Sequence, residues 1–188
     1  MHWKSSFSAV TLCCLLAGCG SETHRTYTDL RGGMHRPLQV APGKIHVLVF
    51  VTTDCPIANS YAPLLRELSE EWLGSNVQLF VVHVEPDTTV ALARQHADMY
   101  SLPNPVLNDP RQDLASALKV RATPEAVVLT AKGTQYQGRI DDAWGELGTK
   151  RNASTQDLVN AVDAVRQGRK PLPAKTEVVG CLLPVPRK

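Results

Sequence analysis

Residues 45–56 read Ile45-His46-Val47-Leu48-Val49-Phe50-Val51-Thr52-Thr53-Asp54-Cys55-Pro56. The first seven form an almost unbroken apolar, β-branched run, the pattern of a strand covered on both faces. The run halts at Thr52-Thr53-Asp54-Cys55-Pro56, and the next apolar residues, Tyr61, Leu64, Leu65, Leu68 and Trp72, fall at i, i+3, i+4, i+7 and i+11. That spacing places one apolar stripe on a helix ending near Gly74. Val77 to Val84 is a second run of the first kind. Strand, helix and strand in this order predict a βαβ unit with parallel strands and a right-handed crossover, with Cys55 at the first strand-to-helix turn.

Downstream, Asp87 or Thr88 is positioned to cap a helix carrying Val90, Ala93, Ala97 and Tyr100. Asp109-Pro110 is read as opening another helix, with proline at the first helical position, where its missing N–H is harmless. Pro105-Val106-Leu107 makes a short strand at most. Ala126-Val127-Val128-Leu129 and Thr134-Gln135-Tyr136-Gln137 flank Ala131-Lys132-Gly133, which reads as an antiparallel hairpin. Ser154-Thr155-Gln156-Asp157 resembles a capping box ahead of Leu158, Ala161, Val162 and Val165, and Gly168 stops that helix. A Pro-rich tail with Pro171, Pro173, Pro184 and Pro186 follows, carrying Gly180-Cys181.

The whole chain has 188 residues, 43% hydrophobic and 20% charged, enough for one core and short of two ordinary domains. Twenty Lys and Arg against 18 Asp and Glu leave a net charge of +2, which provides no field to gather nucleic acid. Lys4 precedes an apolar run over residues 7–16 that is too short to span a bilayer and has the length of a signal-peptide core. It ends in Leu16-Ala17-Gly18-Cys19, which resembles the lipobox of bacterial lipoproteins, whose cysteine is acylated and becomes the first mature residue. The expected organisation is a signal peptide over 1–18, a tether over 19–28, a domain over 29–168 and a tail over 169–188. The expected location is the periplasmic side of a bacterial envelope, held through Cys19. Cys13 and Cys14 would leave with the signal. Cys55 and Cys181 would then remain as thiols, in a compartment that lets disulfides persist.

The order βαβ, helical insert, ββα, with Cys55 at the turn and Thr123-Pro124 just before the hairpin, resembles the thioredoxin fold from about Tyr27 to Gly168. Ala62-Pro63 stands where thioredoxins carry Ala-Pro in the helix after the active cysteine. The helical insert looks more like the AhpC/TSA redoxins, the TlpA group and the Sco proteins. The blocks Cys55-Pro56-Ile57-Ala58-Asn59, Gly138-Arg139-Ile140-Asp141-Asp142 and Gly180-Cys181 are similar to bacterial redoxin-domain proteins. The resemblance implies an α/β fold with a central mixed β-sheet flanked by helices, and a cis peptide bond at Thr123-Pro124. The departures are specific. Ala58 replaces the second cysteine of C-x-x-C, and Asn59 replaces the second cysteine of the Sco copper motif. Thr52 fits the threonine of P-x-x-x-T-x-x-C, but Leu48 stands where its proline belongs, and Val49 occupies the place of the buried thioredoxin acid.

A cysteine attacks as its thiolate, and with pKa near 8.5 only about 3% is ionised at pH 7. A helix N-terminus stabilises an anion by roughly 0.3–1 kcal/mol, whereas a shift to about 6.5 requires about 2.7. Asp54 acts in the wrong direction, so backbone N–H groups after Pro56, and Arg121 if it is more than a solvated charge, would have to supply the rest. Cys55 is either a small buried hydrophobe or the nucleophile, and its location favours the nucleophile. Cys181 is a tail thiol, a static staple or a resolving sulfur, and an extended tail reaches roughly 40 Å, enough to find Cys55. His83 and His96 fit no metal-ligand spacing with either cysteine and read as core or surface histidines.

The resulting expectation is a thiol-disulfide oxidoreductase or thiol peroxidase. Cys55 would attack, Cys181 would resolve, Thr52 would lie near the thiol, and Pro124, with Pro56, Thr123 and Arg121, would shape the substrate groove. No metal or cofactor is expected. The partners would be protein thiols, disulfides or peroxide, with a separate reductant. The alternative is a non-catalytic module of the same fold that binds peptide or copper.

Overall fold

The computed structural model describes residues 25–145 and 148–184. In chain order these form β1 (Tyr27–Thr28), β2 (Met34–His35), β3 (Ile45–Val51), α1 (Pro56–Ser60), α2 (Ala62–Glu71), β4 (Val77–His83), α3 (Val90–Met99), β5 (Val106–Asn108), α4 (Asp113–Ala117), β6 (Ala122–Thr123), β7 (Glu125–Thr130), β8 (Gly133–Gly138), α5 (Asp157–Arg166) and β9 (Cys181–Leu182). The main sheet has the order β5-β4-β3-β7-β8. β3, β4 and β5 run parallel, while β7 and β8 are antiparallel to their neighbours, so the sheet is mixed.

Every residue of β3 but His46 is buried, which explains the unbroken apolar run. Val47, Val49 and Val51 point into a core shared with Leu65 and Leu68 of α2, Ala93 of α3 and Leu158 and Val162 of α5. Leu48 and Phe50 point the other way, against Leu107, Leu114 and Ala115. The buried central strand therefore leads into the turn that carries Cys55.

Several local expectations yield to longer-range contacts. The helix after Cys55 breaks at Tyr61, because Pro63 has no N–H with which to continue the ladder. Thr89, rather than Asp87 or Thr88, caps α3 by accepting from the Leu92 N–H at 3.2 Å. Pro110 lies in a turn, and α4 begins only at Asp113; the Asp109 carboxylate reaches forward to the N–H groups of Asp113, Leu114 and Ala115. The capping box does not form. Gln156 precedes α5 without a side-chain bond, Ser154 donates its hydroxyl to Asp142, and Asp157 is taken by Arg139 at 2.7 Å.

The segments flanking residues 29–168 are held by backbone pairing. Tyr27 and Thr28, expected in the tether, pair with His35 and Met34. The tail packs on the domain: Gln137 donates to the Ala174 carbonyl and accepts from the Thr176 N–H, which covers the outer edge of β8. Backbone meets backbone there, since a Cβ on Gly138 would lie 2.7 Å from the Thr176 carbonyl oxygen. Cys19 and the apolar segment before it lie outside the described residues. No helix among the described residues is long and apolar enough to cross a membrane.

Asp142 ties the loop before α5 to the sheet, accepting from the N–H groups of Ser154 and Thr155 at 2.7 and 2.8 Å. With the Ser154 hydroxyl, these bonds hold its carboxyl below the ordinary value of 3.8. A depressed carboxyl stabilises the fold above its unfolded pKa and ceases to do so as pH falls through the folded one. Asp142→Asn is therefore expected to lower the thermal midpoint at pH 7, with the gap to wild type narrowing steadily below pH 4. A gap that stays constant down to pH 2.5 would show that the carboxylate's charge contributes nothing.

Candidate active site

Cys55 is the N-cap of α1, with extended backbone, φ −82° and ψ 106°. Its side chain is fully buried, an environment that by itself would suit an inert thiol. Its surroundings are polar, however. Sγ donates to the Thr123 carbonyl at 3.3 Å and accepts from the Ala58 N–H at 3.5 Å. The latter group is one of the orphan donors of the helix start and would persist as a donor to a thiolate.

The Thr123–Pro124 bond is cis. Thr123 and Pro124 are buried beside the cysteine, and the Thr123 hydroxyl meets the Thr52 hydroxyl at 3.3 Å. Thr52 thus enters the site by bracing Thr123. Pro56 begins α1 and is exposed next to the buried sulfur. Arg121 is exposed, and its backbone is what enters the site: its N–H donates to Glu125 at 3.1 Å and its carbonyl accepts from Leu183 at 3.0 Å. Glu125 also accepts from Gln137 at 2.6 Å, which secures the loop around the proline from the sheet side.

The tail closes the site. Cys181 pairs with Thr123, and Leu182 with Ala122, in an antiparallel ladder. This places the Cys181 Sγ 2.7 Å from the Cys55 Sγ, with no disulfide between them. Burial, the bond to Cys55 and the nearby charge of Asp54 push the Cys181 thiol up to about 12. While the tail is docked, the Cys181 thiol keeps its proton and donates it to the Cys55 sulfur. Gln112 secures the far end of the tail, donating to the Pro184 carbonyl at 2.7 Å and the Val84 carbonyl at 2.9 Å.

Two partly buried supports could not be read from the sequence. The Glu85 carboxylate accepts from both the N–H and the hydroxyl of Thr53, each at 2.8 Å, and from Thr88 at 2.9 Å. Asn59 donates to the Thr53 carbonyl at 3.0 Å, while its own carbonyl takes the His96 Nε2–H at 2.9 Å. His96 Nδ1 is then the acceptor for His83 Nε2–H, also at 2.9 Å. Burial lowers both histidines, His83 to about 3, so the pair is neutral and works as a brace behind the Cys55 turn. A third support comes from the Arg139-Asp142 block: Asp141 accepts from the Tyr61 hydroxyl at the break between α1 and α2. Among the described residues, no three His, Cys, Asp or Glu side chains converge as a metal site.

A mixed five-stranded sheet with a cysteine capping the helix after its central strand, and a cis proline entering the next strand over, defines a thioredoxin-like α/β protein. The sequence pattern of the AhpC/TSA family matches residues 26–136, and the chain belongs to that family. The matched region contains Cys55 and Pro124 and ends before the tail. Among solved structures, the fold is similar to a hypothetical protein from Sinorhizobium meliloti, with TM-score 0.72 and 21% identity, covering 85% of this chain and 89% of the other. It is similar also to a conserved protein from Geobacillus kaustophilus, with TM-score 0.73 and 22% identity, covering 87% and 89%. A secreted Mycobacterium tuberculosis disulfide oxidoreductase homologous to E. coli DsbE shares the fold with TM-score 0.55 and 23% identity, covering 73% and 92%. No curated protein matches the sequence.

Proposed function

We propose that the chain is a thiol-disulfide oxidoreductase in which Cys55 is the nucleophile and Cys181 the resolving sulfur. The observation that carries this reading is the 2.7 Å separation of the two sulfurs, reached by a tail strand built onto the residue before the cis proline. The Cys55 thiolate attacks one sulfur of a client disulfide and expels the other as a thiol. The Cys181 thiol then loses its proton to solvent and attacks Cys55, which releases the second client thiol and leaves a Cys55–Cys181 disulfide. Two electrons pass from the pair to the client, and a separate dithiol reductant restores the pair. Exchange of this kind is favoured over a one-cysteine centre because Cys55 already has a second thiol as neighbour.

Treating the reduced protein with one equivalent of oxidised client, such as insulin, is expected to yield a linked Cys55–Cys181 peptide on mapping. Cys181→Ser should instead accumulate the client on Cys55. If wild type shows no linked peptide and Cys181→Ser turns over at the same rate, Cys181 has no resolving role. A parallel arm with one equivalent of peroxide separates the peroxidase reading: peroxide consumption outpacing insulin reduction would replace disulfides by peroxide as the substrate.

The same reading places the domain at the periplasmic face of a bacterial membrane, tethered by acylated Cys19. Its support is the Leu16-Ala17-Gly18-Cys19 motif at the end of the short apolar run. Cys19→Ala is expected to move the protein from the membrane to the soluble fraction. Unchanged fractionation and mass would remove the anchor.

A further inference from the structure

Cys55 is fully buried, so a client disulfide has no path to it while the tail is docked. One surface cleft lies at the opposite end of β3, where Lys44, Ile45, Lys132 and Arg166 converge. The covering element is a strand. It is bonded to the edge of β6 through Ala122–Leu182 and Thr123–Cys181, continues with the Leu183 N–H on the Arg121 carbonyl, and leaves Leu182 83% exposed. Upstream, the tail is fastened at Thr176, whose hydroxyl takes the Arg139 N–H at 3.0 Å and meets Tyr136 at 2.7 Å. The stretch from Thr176 to Cys181 is short and partly exposed, so the last residues can leave the β6 edge while the tail stays attached at Thr176.

The docked strand has one strict requirement. A Cβ on Gly180 would sit 2.0 Å from the Thr123 carbonyl oxygen and 2.7 Å from its carbon. Both are backbone atoms beside the buried proline and cannot step aside, so only glycine can precede the cysteine in this register. Any extended chain that takes the tail's place on the same edge meets the same wall.

We propose that the Ala122–Thr123 edge is a strand-exchange site for extended polypeptide segments in which glycine immediately precedes a disulfide-bonded cysteine, and that the tail is its tethered competitor. This rests on Cys55 acting in disulfide exchange. The incoming segment displaces residues 180–183 and pairs its backbone with Arg121 and Thr123. The Cys55 thiolate then attacks the segment's cysteine, expelling the former partner sulfur as a thiolate. When the tail returns, Cys181 attacks Cys55 and the segment leaves as a thiol.

The test uses two otherwise identical peptides, one with Gly-Cys and one with Ala-Cys, each as the mixed disulfide with 5-thio-2-nitrobenzoate. The reduced full chain should release the coloured thiolate from the Gly-Cys peptide about tenfold faster or more, the scale of an unrelieved backbone clash. Gly180→Ala, whose tail can no longer dock, should react with the Gly-Cys peptide faster than wild type and accumulate the peptide on Cys55. Equal rates for the two peptides on wild type would overturn the proposal regardless of how Gly180→Ala folds. If, instead, the small symmetrical disulfide 5,5′-dithiobis(2-nitrobenzoate) leaves Cys55 a free thiol, neither labelled nor joined to Cys181, the oxidoreductase reading itself is what has failed.

Discussion

Cys55→Ser is expected to abolish disulfide reduction, with turnover falling by at least about a thousandfold, while the fold persists. Serine keeps a donor for the Thr123 carbonyl and an acceptor for the Ala58 N–H, the two backbone groups that hold the sulfur at 3.3 and 3.5 Å. What disappears is the nucleophile, since an alcohol does not ionise near neutral pH and forms no disulfide. Insulin reduction, read beside circular dichroism and the thermal midpoint, checks both halves of the expectation. Full activity in a well-folded Cys55→Ser protein would move the chemistry to another residue altogether. Neither brace behind the turn, Glu85 on Thr53 nor His96 on Asn59, could rescue the variant, because neither carries sulfur.

The second large effect concerns stability. Phe50 is fully buried in β3 and packs with Phe80, Val82, Leu107 and Leu114 on the face of the sheet opposite α2. Phe50→Ala is expected to cost about 3–5 kcal/mol, the transfer free energy of the ring plus the cavity that a rigid central strand cannot close. For a chain of this size that corresponds to a fall of roughly 10 °C in thermal midpoint. Leu182→Ala, on the docked tail and 83% exposed, should stay within about 0.5 kcal/mol of wild type. Denaturant unfolding of the two variants side by side measures the contrast. A loss below about 1 kcal/mol for Phe50→Ala would mean that this face of the sheet is not a packed core.

Much of the fold was legible in the sequence because its signals are local. The β3 run, the α2 stripe and the β4 run each state their burial by period, and a helix between two such strands leaves little choice but a parallel crossover. The β7–β8 hairpin is likewise written in two short runs and a glycine turn. Helix starts were less legible. Ser154 and Asp157 have the chemistry of a capping box, yet Asp142 and Arg139, distant in sequence, bind them first. Asp109 was recognised as a helix-opening residue, but its carboxylate reaches three N–H groups further on, which places Pro110 in a turn.

For the site the division is similar. Cys55 and Pro56 stand out in the chain because a strand that halts at a cysteine ahead of a helix is a feature of neighbouring residues, and Thr123 and Pro124 stand out through the resemblance to redoxins. Glu85, Asn59, His96 and His83 carry no such mark; an acid, an amide and two histidines acquire their bracing role only when α3 and β4 bring them under the turn. The tail makes the point most clearly. Its length and its cysteine show only that it can reach, because a chain without helical or strand periodicity does not encode where it will lie. The tertiary structure decides that, through the unpaired edges of β8 and β6, the Gln112 amide that meets Pro184, and the single place where Thr123 tolerates an approaching backbone with no side chain.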